Sequence, residues 1–382
     1  MTPAPARPRA RRATAAILGI GTALPHGRVS QSEAAAIAES FSCETDGQRA
    51  WLRRVFLRSG VDGRHTVLMN GRGADDVRDF YPPSAENING PGTAVRMQRY
   101  ALEAPALAES AARAALQNAA LEPAEITHLI TVSCTGFFAP GLDVELISRL
   151  ALPPNVRRIH IGFMGCHAAF NALAAARDAV TAAAASGREA RVLVCAVELC
   201  TLHFAYGWQP EKLVANALFA DASSACVVGP TAHPGAVDNP APFQILHSAS
   251  LLLPNSRDAM TWRVGNHGFE MTLSSELPTL IGTHIRPWCE SWLADAGLTL
   301  ADISLYALHP GGPKILNACR DALALSDPDI QTSRDILSHH GNLSSATLLF
   351  LLQNLAQQKA HGTCLALGFG PGLMAEGMLL QL

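Results

Sequence analysis

The chain has no long hydrophobic run, no excess of positive charge and no paired-cysteine motif, and each absence excludes a class of protein. No segment approaches the ~18 uninterrupted apolar residues of a membrane-spanning helix. The formal net charge is −3 over 382 residues, so the sequence lacks the basic balance typical of nucleic-acid binding. We therefore expect neither a membrane span nor a nucleic-acid partner.

The nine cysteines are odd in number, and no two have the C-x-x-C spacing of a zinc or redox site. No signal peptide precedes them. This usage indicates reduced thiols in a cytoplasmic enzyme, with neither a disulfide framework nor a metal site.

Charged residues make up only 16% of the chain and hydrophobic residues 48%, which predicts a large core. Residues 1–15, rich in Pro, Ala and Arg, are expected to form a disordered tail. Strands alternate with helices beyond the tail, which indicates α/β layering. A Pro-rich stretch at 230–242 predicts a junction between an N-terminal half, 16–232, and a C-terminal half, 233–382.

One segment recurs in both halves. A helix predicted over 100–120 is followed by a loop and a strand over 121–136, and the same order returns at 298–311. With Leu121 aligned to Leu298, Ile126 matches Ile303. Because the helix, loop and strand have the same order and the same lengths in both segments, the sequence predicts two halves of similar structure.

The candidate nucleophile is Cys166, in the run Ile161-Gly-Phe-Met-Gly-Cys-His-Ala-Ala-Phe170. An apolar strand ends before it and an Ala-rich helical segment follows, so the cysteine lies at a strand-to-helix turn. The N–H groups and partial positive charge of a helix N-terminus favour the thiolate, which is the nucleophilic form. A buried structural cysteine is the alternative.

Three further motifs follow Cys166. His309 ends the repeated strand ahead of a Gly/Pro loop and is predicted to point into a cleft; it is otherwise one histidine among fourteen. Asn342, in Gly341-Asn-Leu-Ser-Ser345, precedes an apolar helix, and a helix cap is the alternative. The loop Gly368-Phe-Gly-Pro-Gly372 can bring backbone close to a ligand, or form a hairpin turn before the last strand.

The four motifs together, in this order, resemble those of the type III polyketide synthases, the relatives of chalcone synthase, over residues 15–382. The resemblance implies a thiolase-like five-layered αβαβα fold of two similar halves, assembled as a homodimer. It implies CoA thioesters as substrates, malonyl-CoA and an acyl-CoA starter, and no metal or redox cofactor. The alternative is an enzyme like ketoacyl-ACP synthase III, which makes one condensation and is not expected to carry Gly-Phe-Gly-Pro-Gly.

By this resemblance Cys166 accepts the starter acyl group, and His309 holds it as a thiolate. His309 and Asn342 bind the thioester carbonyl of malonyl-CoA, where N–H donors stabilise the enolate left by loss of CO₂. The extended chain then cyclises to a pyrone, resorcinol, phloroglucinol or naphthalene type of product. The sequence leaves open the starter, the number of extensions, the mode of cyclisation and delivery by a carrier protein.

The resemblance also assigns a cavity. Phe219 matches the phenylalanine that gates it, with a core aromatic as the alternative, and the other substrate positions are Cys134, Thr135, Cys200, His203, Met271 and Ser344. Met271 stands in place of an aromatic residue and Trp262 near a position that is small in the plant enzyme, so a plant-type aromatic starter is not expected. His203 could steer cyclisation or fill space. No catalytic role is assigned to His167.

For CoA binding, the resemblance implies Arg54 and Arg58 together with Gly311 and Gly312. The two arginines are four residues apart, so they share a helix face, and a guanidinium can contact phosphate through two N–H groups. Solvated surface arginines are the alternative. Trp51 stands where the family often carries lysine.

Overall fold

The structure is a computed structural model that describes residues 15–231 and 243–382. Its strands are β1 (Ala15–Ala23), β2 (Gly27–Ser30), β3 (Gly63–Thr66), β4 (His128–Ser133), β5 (Arg157–Gly162), β6 (Val192–Leu199), β7 (Asp221–Pro230), β8 (Phe243–Leu252), β9 (Met260–Gly265), β10 (Gly268–Leu273), β11 (Leu305–Leu308), β12 (Thr363–Gly370) and β13 (Met374–Gln381). Its helices are α1 (Gln31–Ser42), α2 (Asp46–Leu57), α3 (Ala74–Phe80), α4 (Thr93–Asn118), α5 (Leu142–Leu150), α6 (Ala168–Ala185), α7 (Pro210–Leu218), α8 (Leu277–Asp295), α9 (Pro313–Leu323), α10 (Gln331–His340) and α11 (Thr347–Gln357).

Residues 1–14 of the predicted tail and 232–242 of the predicted junction lie outside the described residues. Ala15, which the sequence placed in the tail, is instead the first residue of β1, where it pairs with Pro230 of β7.

Nine strands form one sheet in the order β11-β12-β13-β8-β1-β7-β6-β4-β5. Along β1-β7-β6-β4 the pairings are antiparallel, antiparallel and parallel. Along β8-β13-β12-β11 they follow the same pattern. The two halves meet where β1 pairs antiparallel with β8, Ala16 opposite Gln244.

The internal repeat predicted from the sequence is confirmed. The alignment that matches Ile126 to Ile303 joins the first residue of β4, His128, to the first residue of β11, Leu305. It also joins the short 3₁₀ turns Pro123–Glu125 and Leu300–Asp302 that precede these strands.

The helices form three layers around the two parts of the sheet. α4 packs on the outer face of the N-terminal strands, and α8 and α9 on the outer face of the C-terminal strands. α6 and α11 lie between the two, where Phe170 and Leu349 belong to one apolar core. The chain therefore has the predicted thiolase-like αβαβα architecture. Among the described residues, no helix combines the length and apolarity needed to cross a bilayer.

The helix predicted over 100–120 begins earlier than expected, at Thr93. Thr93 donates its backbone N–H to Asn266 O, 2.9 Å away, and its hydroxyl to Gly265 O. Both acceptors belong to the distant β9–β10 hairpin, so a tertiary contact sets the start of α4.

Candidate active site

Cys166 lies in the tight turn between β5 and α6. Gly165 has φ +93°, and a Cβ on it would lie 2.2 Å from Cδ of Pro371, so only glycine fits there. The Gly165 N–H points at Sγ of Cys134, 2.9 Å away. The turn thus places Cys166, with 7% of its surface exposed, just before the first residue of α6, as the sequence predicted.

Burial has the largest effect on the pKa of this cysteine. It raises the pKa of the Cys166 thiol to about 12, although hydrogen bonds from the Ser344 and Asn342 side chains lower the pKa in part. Burial therefore opposes the effect of the free N–H groups ahead of α6, which favour the thiolate. That His309 holds Cys166 as a thiolate stays a prediction.

His309 lies at the end of β11 and is 3% exposed. Its backbone N–H donates to Leu367 O of β12 over 2.8 Å. Burial lowers the imidazole pKa to about 3, and His167 nearby lowers the pKa further. Neither ring nitrogen makes a hydrogen bond of good geometry with a described residue, and the Asn342 side chain is close enough to raise the pKa in part. A neutral buried imidazole with free nitrogens can take up a proton or donate to a substrate oxygen.

Asn342 comes from the loop between α10 and α11, and its backbone is tied to the end of α7. Its N–H donates to Leu218 O over 2.8 Å, and its carbonyl accepts from Ala220 N over 3.0 Å. The side-chain oxygen accepts the N–H of Ser344. The amide NH₂ is left for the site, where this side chain lowers the pKa of Cys166 and raises that of His309.

A cavity of about 370 Å³ opens onto Cys166. The substrate and gate residues assigned by resemblance all line it: Cys134, Thr135, Cys200, His203, Phe219, Met271 and Ser344. His309 and Asn342 are not among the residues that line it.

The gate position Phe219 follows α7 directly. Its carbonyl accepts a hydrogen bond from the fully buried Arg64 guanidinium over 2.9 Å, and Arg64 also binds the carbonyls of Asn216 and Ala217. A cation that satisfies the last carbonyls of a helix fixes the residue that follows. Arg64 was not singled out from the sequence, because its partners are distant from it along the chain.

His203 and Trp262 form one wall of the cavity. Phe269 N–H donates to Nδ1 of His203 over 2.9 Å, so Nε2–H must be the donor to Thr135 O, 2.7 Å away. Trp262 Nε1 donates to Cys134 O over 2.8 Å. Burial lowers the pKa of His203 to about 3. Both ring nitrogens are occupied and the ring is neutral, so the imidazole fills space and leaves no free nitrogen for cyclisation chemistry.

A buried carboxylate also borders the cavity. Glu198 accepts the Cys134 N–H over 3.0 Å and the Thr135 hydroxyl over 2.8 Å, and it accepts the Ser345 hydroxyl as well. These bonds fix the two cavity residues at the end of β4 against the start of α11. The sequence analysis missed Glu198, although a single charged residue within the apolar strand β6 is a signal that could have found it.

The four residues assigned to CoA do not line the cavity. Arg54 and Arg58 are exposed on α2 and at its C-terminal cap, as the helical spacing predicted. Arg49 and Arg53 are ion-paired, whereas Arg54 and Arg58 form no ion pair with any residue that the structure describes.

The helix that carries these arginines packs near one side of the cavity. The Trp51 ring of α2 packs edge-on against Trp208, with centroids 5.1 Å apart, and the neighbours of Trp208 in the chain line the cavity. Gly311 and Gly312 precede α9. A Cβ on Gly60, which follows Arg58 closely, would lie 3.0 Å from Cγ of Pro313 in α9, so the Arg58 and Gly312 segments adjoin.

Comparisons with known proteins agree with this arrangement. Residues 5–232 match the family model of the N-terminal domain of chalcone and stilbene synthases, and residues 244–382 match that of the C-terminal domain. The chain is 34% identical to the alpha-pyrone synthesis polyketide synthase-like Pks18 of Mycobacterium tuberculosis, across 96% of this chain and 91% of that protein. It is 31% identical to 1,3,6,8-tetrahydroxynaphthalene synthase of Streptomyces peucetius, across 96% and 92%.

Solved structures give the same result. PKS-I of the brown alga Ectocarpus siliculosus superposes with a TM-score of 0.86 at 27% identity, covering 98% of this chain and 99% of that one. The C-terminal type III polyketide synthase domain of Steely1 from Dictyostelium has a TM-score of 0.86 at 26% identity, covering 96% and 99%.

Proposed function

This chain belongs to the chalcone and stilbene synthase family of type III polyketide synthases, and on that premise we propose that Cys166, His309 and Asn342 are its catalytic residues. The enzyme is an acyltransferase that extends an acyl-CoA starter with malonyl-CoA. The comparisons give no support to the single-condensation alternative. The observation that carries the proposal is the convergence of three buried side chains: the Asn342 amide interacts with both the Cys166 thiol and the His309 imidazole, and Cys166 lines the cavity.

Loading begins from the neutral pair. As the Cys166 sulfur attacks the acyl-CoA carbonyl, its proton passes to His309, which is unprotonated and able to accept it. The C–S bond to CoA breaks, and the proton leaves on the CoA thiolate. The site ends with an acyl-Cys thioester and a neutral imidazole.

Extension uses the same imidazole as a donor. Malonyl-CoA loses CO₂, and N–H groups of His309 and Asn342 stabilise the enolate oxygen. The enolate carbon attacks the acyl-Cys carbonyl and expels the Cys166 thiolate, which then takes up a proton from solvent, and the extended chain remains as a thioester of CoA. No redox cofactor is required, because no electrons are transferred between species, and the proposed steps use no metal, because the N–H groups of His309 and Asn342 meet the enolate charge.

The size of the cavity supports a short starter. About 370 Å³ is near the lower end of ligand cavities, which span roughly 300–1,000 Å³, and the aromatic wall of His203, Trp262 and Phe269 closes one side. We infer a small malonyl-derived product of the pyrone or naphthalene type, as the names of the two relatives suggest.

The test is mass spectrometry of the products formed with malonyl-CoA alone and with short, long and aromatic acyl-CoA starters, with Cys166→Ala as the control. Product from malonyl-CoA alone or with a short starter, absent in Cys166→Ala, is expected. Product formed only with a long acyl-CoA would contradict the short starter. No product under any of these conditions would contradict the catalytic assignment.

A homodimer is proposed on the exposed edge of the sheet. β5 is the last strand, most of its residues are exposed, and Ile159 is 49% exposed. Pairing with a second copy would satisfy the free backbone groups of this edge. Light scattering should give the dimer mass for the wild type and the monomer mass for Ile159→Lys; a wild-type monomer would contradict the proposal.

The nine cysteines are all free and buried. This supports a reducing compartment, and we place the enzyme in the cytoplasm.

A further inference from the structure

His167, the residue after the nucleophile, is buried to 2% exposure in a position that the proposed mechanism does not use. It begins a chain of hydrogen bonds that crosses from the N-terminal to the C-terminal half. Nδ1 of His167 lies 3.1 Å from Oδ1 of Asn171 in α6, and Nδ2 of Asn171 donates to Oε1 of Glu376 in β13 over 3.0 Å. The hydroxyl of Ser250 in β8 donates to the other carboxylate oxygen over 2.6 Å.

The donor and acceptor roles along these hydrogen bonds determine the tautomer of the His167 imidazole. Because the Asn171 NH₂ is committed to the Glu376 carboxylate, its oxygen is an acceptor, and Nδ1 of His167 must carry the hydrogen. Burial lowers the His167 pKa, so the ring is neutral, with its lone pair on Nε2. The imidazole is therefore held in one tautomer and one orientation.

Two glycines allow this ring and the nucleophile turn to pack closely against the hairpin between β12 and β13. A Cβ on Gly370 would lie 2.2 Å from Cδ2 of His167, so the ring rests directly on the backbone of Gly370. Reciprocally, Pro371 occupies the space where Gly165 lacks a Cβ. Gly370 thus faces the ring of His167, and Gly165 faces the ring of Pro371.

The same strand holds the catalytic imidazole. The Leu367 carbonyl of β12, close to Gly370 in the chain, accepts the backbone N–H of His309. β12 therefore helps to position both residues. It contacts the Cys166 turn through the His167 ring, and it binds the His309 backbone through Leu367.

We propose that His167 is a positioning residue that sets the spacing between Cys166 Sγ and the His309 imidazole. It acts through the Asn171 hydrogen bond and the Gly370 contact and touches no substrate. The inference rests on the proposed roles of Cys166 and His309.

Two substitutions of His167 by an amide side chain test this positioning role selectively. His167→Asn places an amide N–H near the position of Nδ1 and can keep the bond to Asn171. His167→Gln places its amide near Nε2 and cannot. A displacement of about 1 Å at reacting groups costs on the order of 10²-fold in rate, so kcat should fall about 10- to 100-fold in His167→Gln and be largely restored in His167→Asn. KM for malonyl-CoA should stay within about twofold in both, since substrate binding is unaltered.

A matched control is His128→Asn, a half-buried histidine at the far end of β4 whose Nδ1 also has a hydrogen-bond partner, Thr127; it should retain the wild-type kcat. Thermal melting of all variants measures stability. Equal kcat in His167→Gln and His167→Asn, or losses that follow the melting temperature, would overturn the proposal.

A second readout separates this proposal from the proposed function. The rate of Cys166 alkylation by iodoacetamide needs no CoA substrate, and it should fall in His167→Gln and recover in His167→Asn. If wild-type protein forms no acyl-Cys166 with any acyl-CoA, the proposed function fails; if acylation proceeds but neither alkylation nor kcat distinguishes the two variants, only the role of His167 fails.

Discussion

The side-chain oxygen of Asn342 accepts the backbone N–H of Ser344 over 2.9 Å. The bond fixes which end of the amide faces the site, since the oxygen is occupied and the NH₂ is not. A fixed donor needs no reorganisation as charge develops on the substrate.

Asn342→Asp tests this orientation. Aspartate keeps the acceptor for Ser344 but replaces the NH₂ donor with a second oxygen, so stabilisation of the enolate is lost. Decarboxylation of malonyl-CoA and product formation should fall about 10²- to 10³-fold, while starter loading persists. Release of labelled CO₂ and the intact mass of acyl-Cys166 measure the two steps; equal losses in both would contradict the assignment.

The raised pKa of Cys166 predicts the pH dependence of its alkylation. Below a pKa of about 12, the thiolate fraction rises tenfold per pH unit, so the iodoacetamide rate of the substrate-free enzyme should climb steadily from pH 7 to pH 9. Cys166→Ala identifies the labelled site. A rate that is flat over this range would contradict control by the raised pKa, because Cys166 would then react as a preformed thiolate or with His309 taking its proton.

His203→Phe tests the assignment of this residue to the cavity wall. Phenylalanine can keep the stacking on Phe269, whose ring lies 4.3 Å away between centroids, but it loses both hydrogen bonds of the imidazole. We expect the unfolding free energy to fall by about 1–3 kcal/mol for each polar group left unpaired, with the ring type of the product and the pH–rate profile unchanged. Denaturant unfolding and product analysis measure these; a new ring type at wild-type stability would point to a chemical role.

Trp262→Ala should enlarge the cavity beside Cys134. The indole contributes both volume and the hydrogen bond to Cys134 O. The alanine variant should make products with at least one more malonyl-derived unit, whereas Trp262→Phe, which loses only the hydrogen bond and part of the volume, should keep the wild-type length. Product masses decide, and unchanged lengths in Trp262→Ala would show that another surface limits growth.

Arg54 and Arg58 are expected to act on binding alone. Replacing either with alanine should raise KM for malonyl-CoA about fivefold, as for the loss of one exposed ionic contact, with kcat nearly unchanged and a weaker dependence of KM on salt. Arg49→Ala, on the same helix but already ion-paired to Asp46, is the control. An equal effect in Arg49→Ala would mean that general surface charge is responsible.

Local sequence patterns predicted the features that depend on neighbours in the chain. The turn at Cys166 follows from an apolar strand, glycine and an Ala-rich helix, and the internal repeat follows from matched segments. The repeat and the resemblance both predicted a fold of two similar halves, which the matching strand pairings of the halves confirm.

Features that depend on distant partners were not predicted. The hydrogen bonds of His203 come from Thr135 and Phe269, which belong to remote segments of the chain, and no local pattern reports them. The raised pKa of Cys166 depends on how completely the site is buried, which the turn itself does not determine.

The turn around Cys166 and the loop around Asn342 occupy corresponding places in the two halves, because each leads into a central helix, α6 or α11. Cys166 and Ser344 from these two segments line one cavity. The partial positive ends of both central helices therefore meet there. An anion formed on the substrate there, such as the enolate, is stabilised by a helix from each of the duplicated halves.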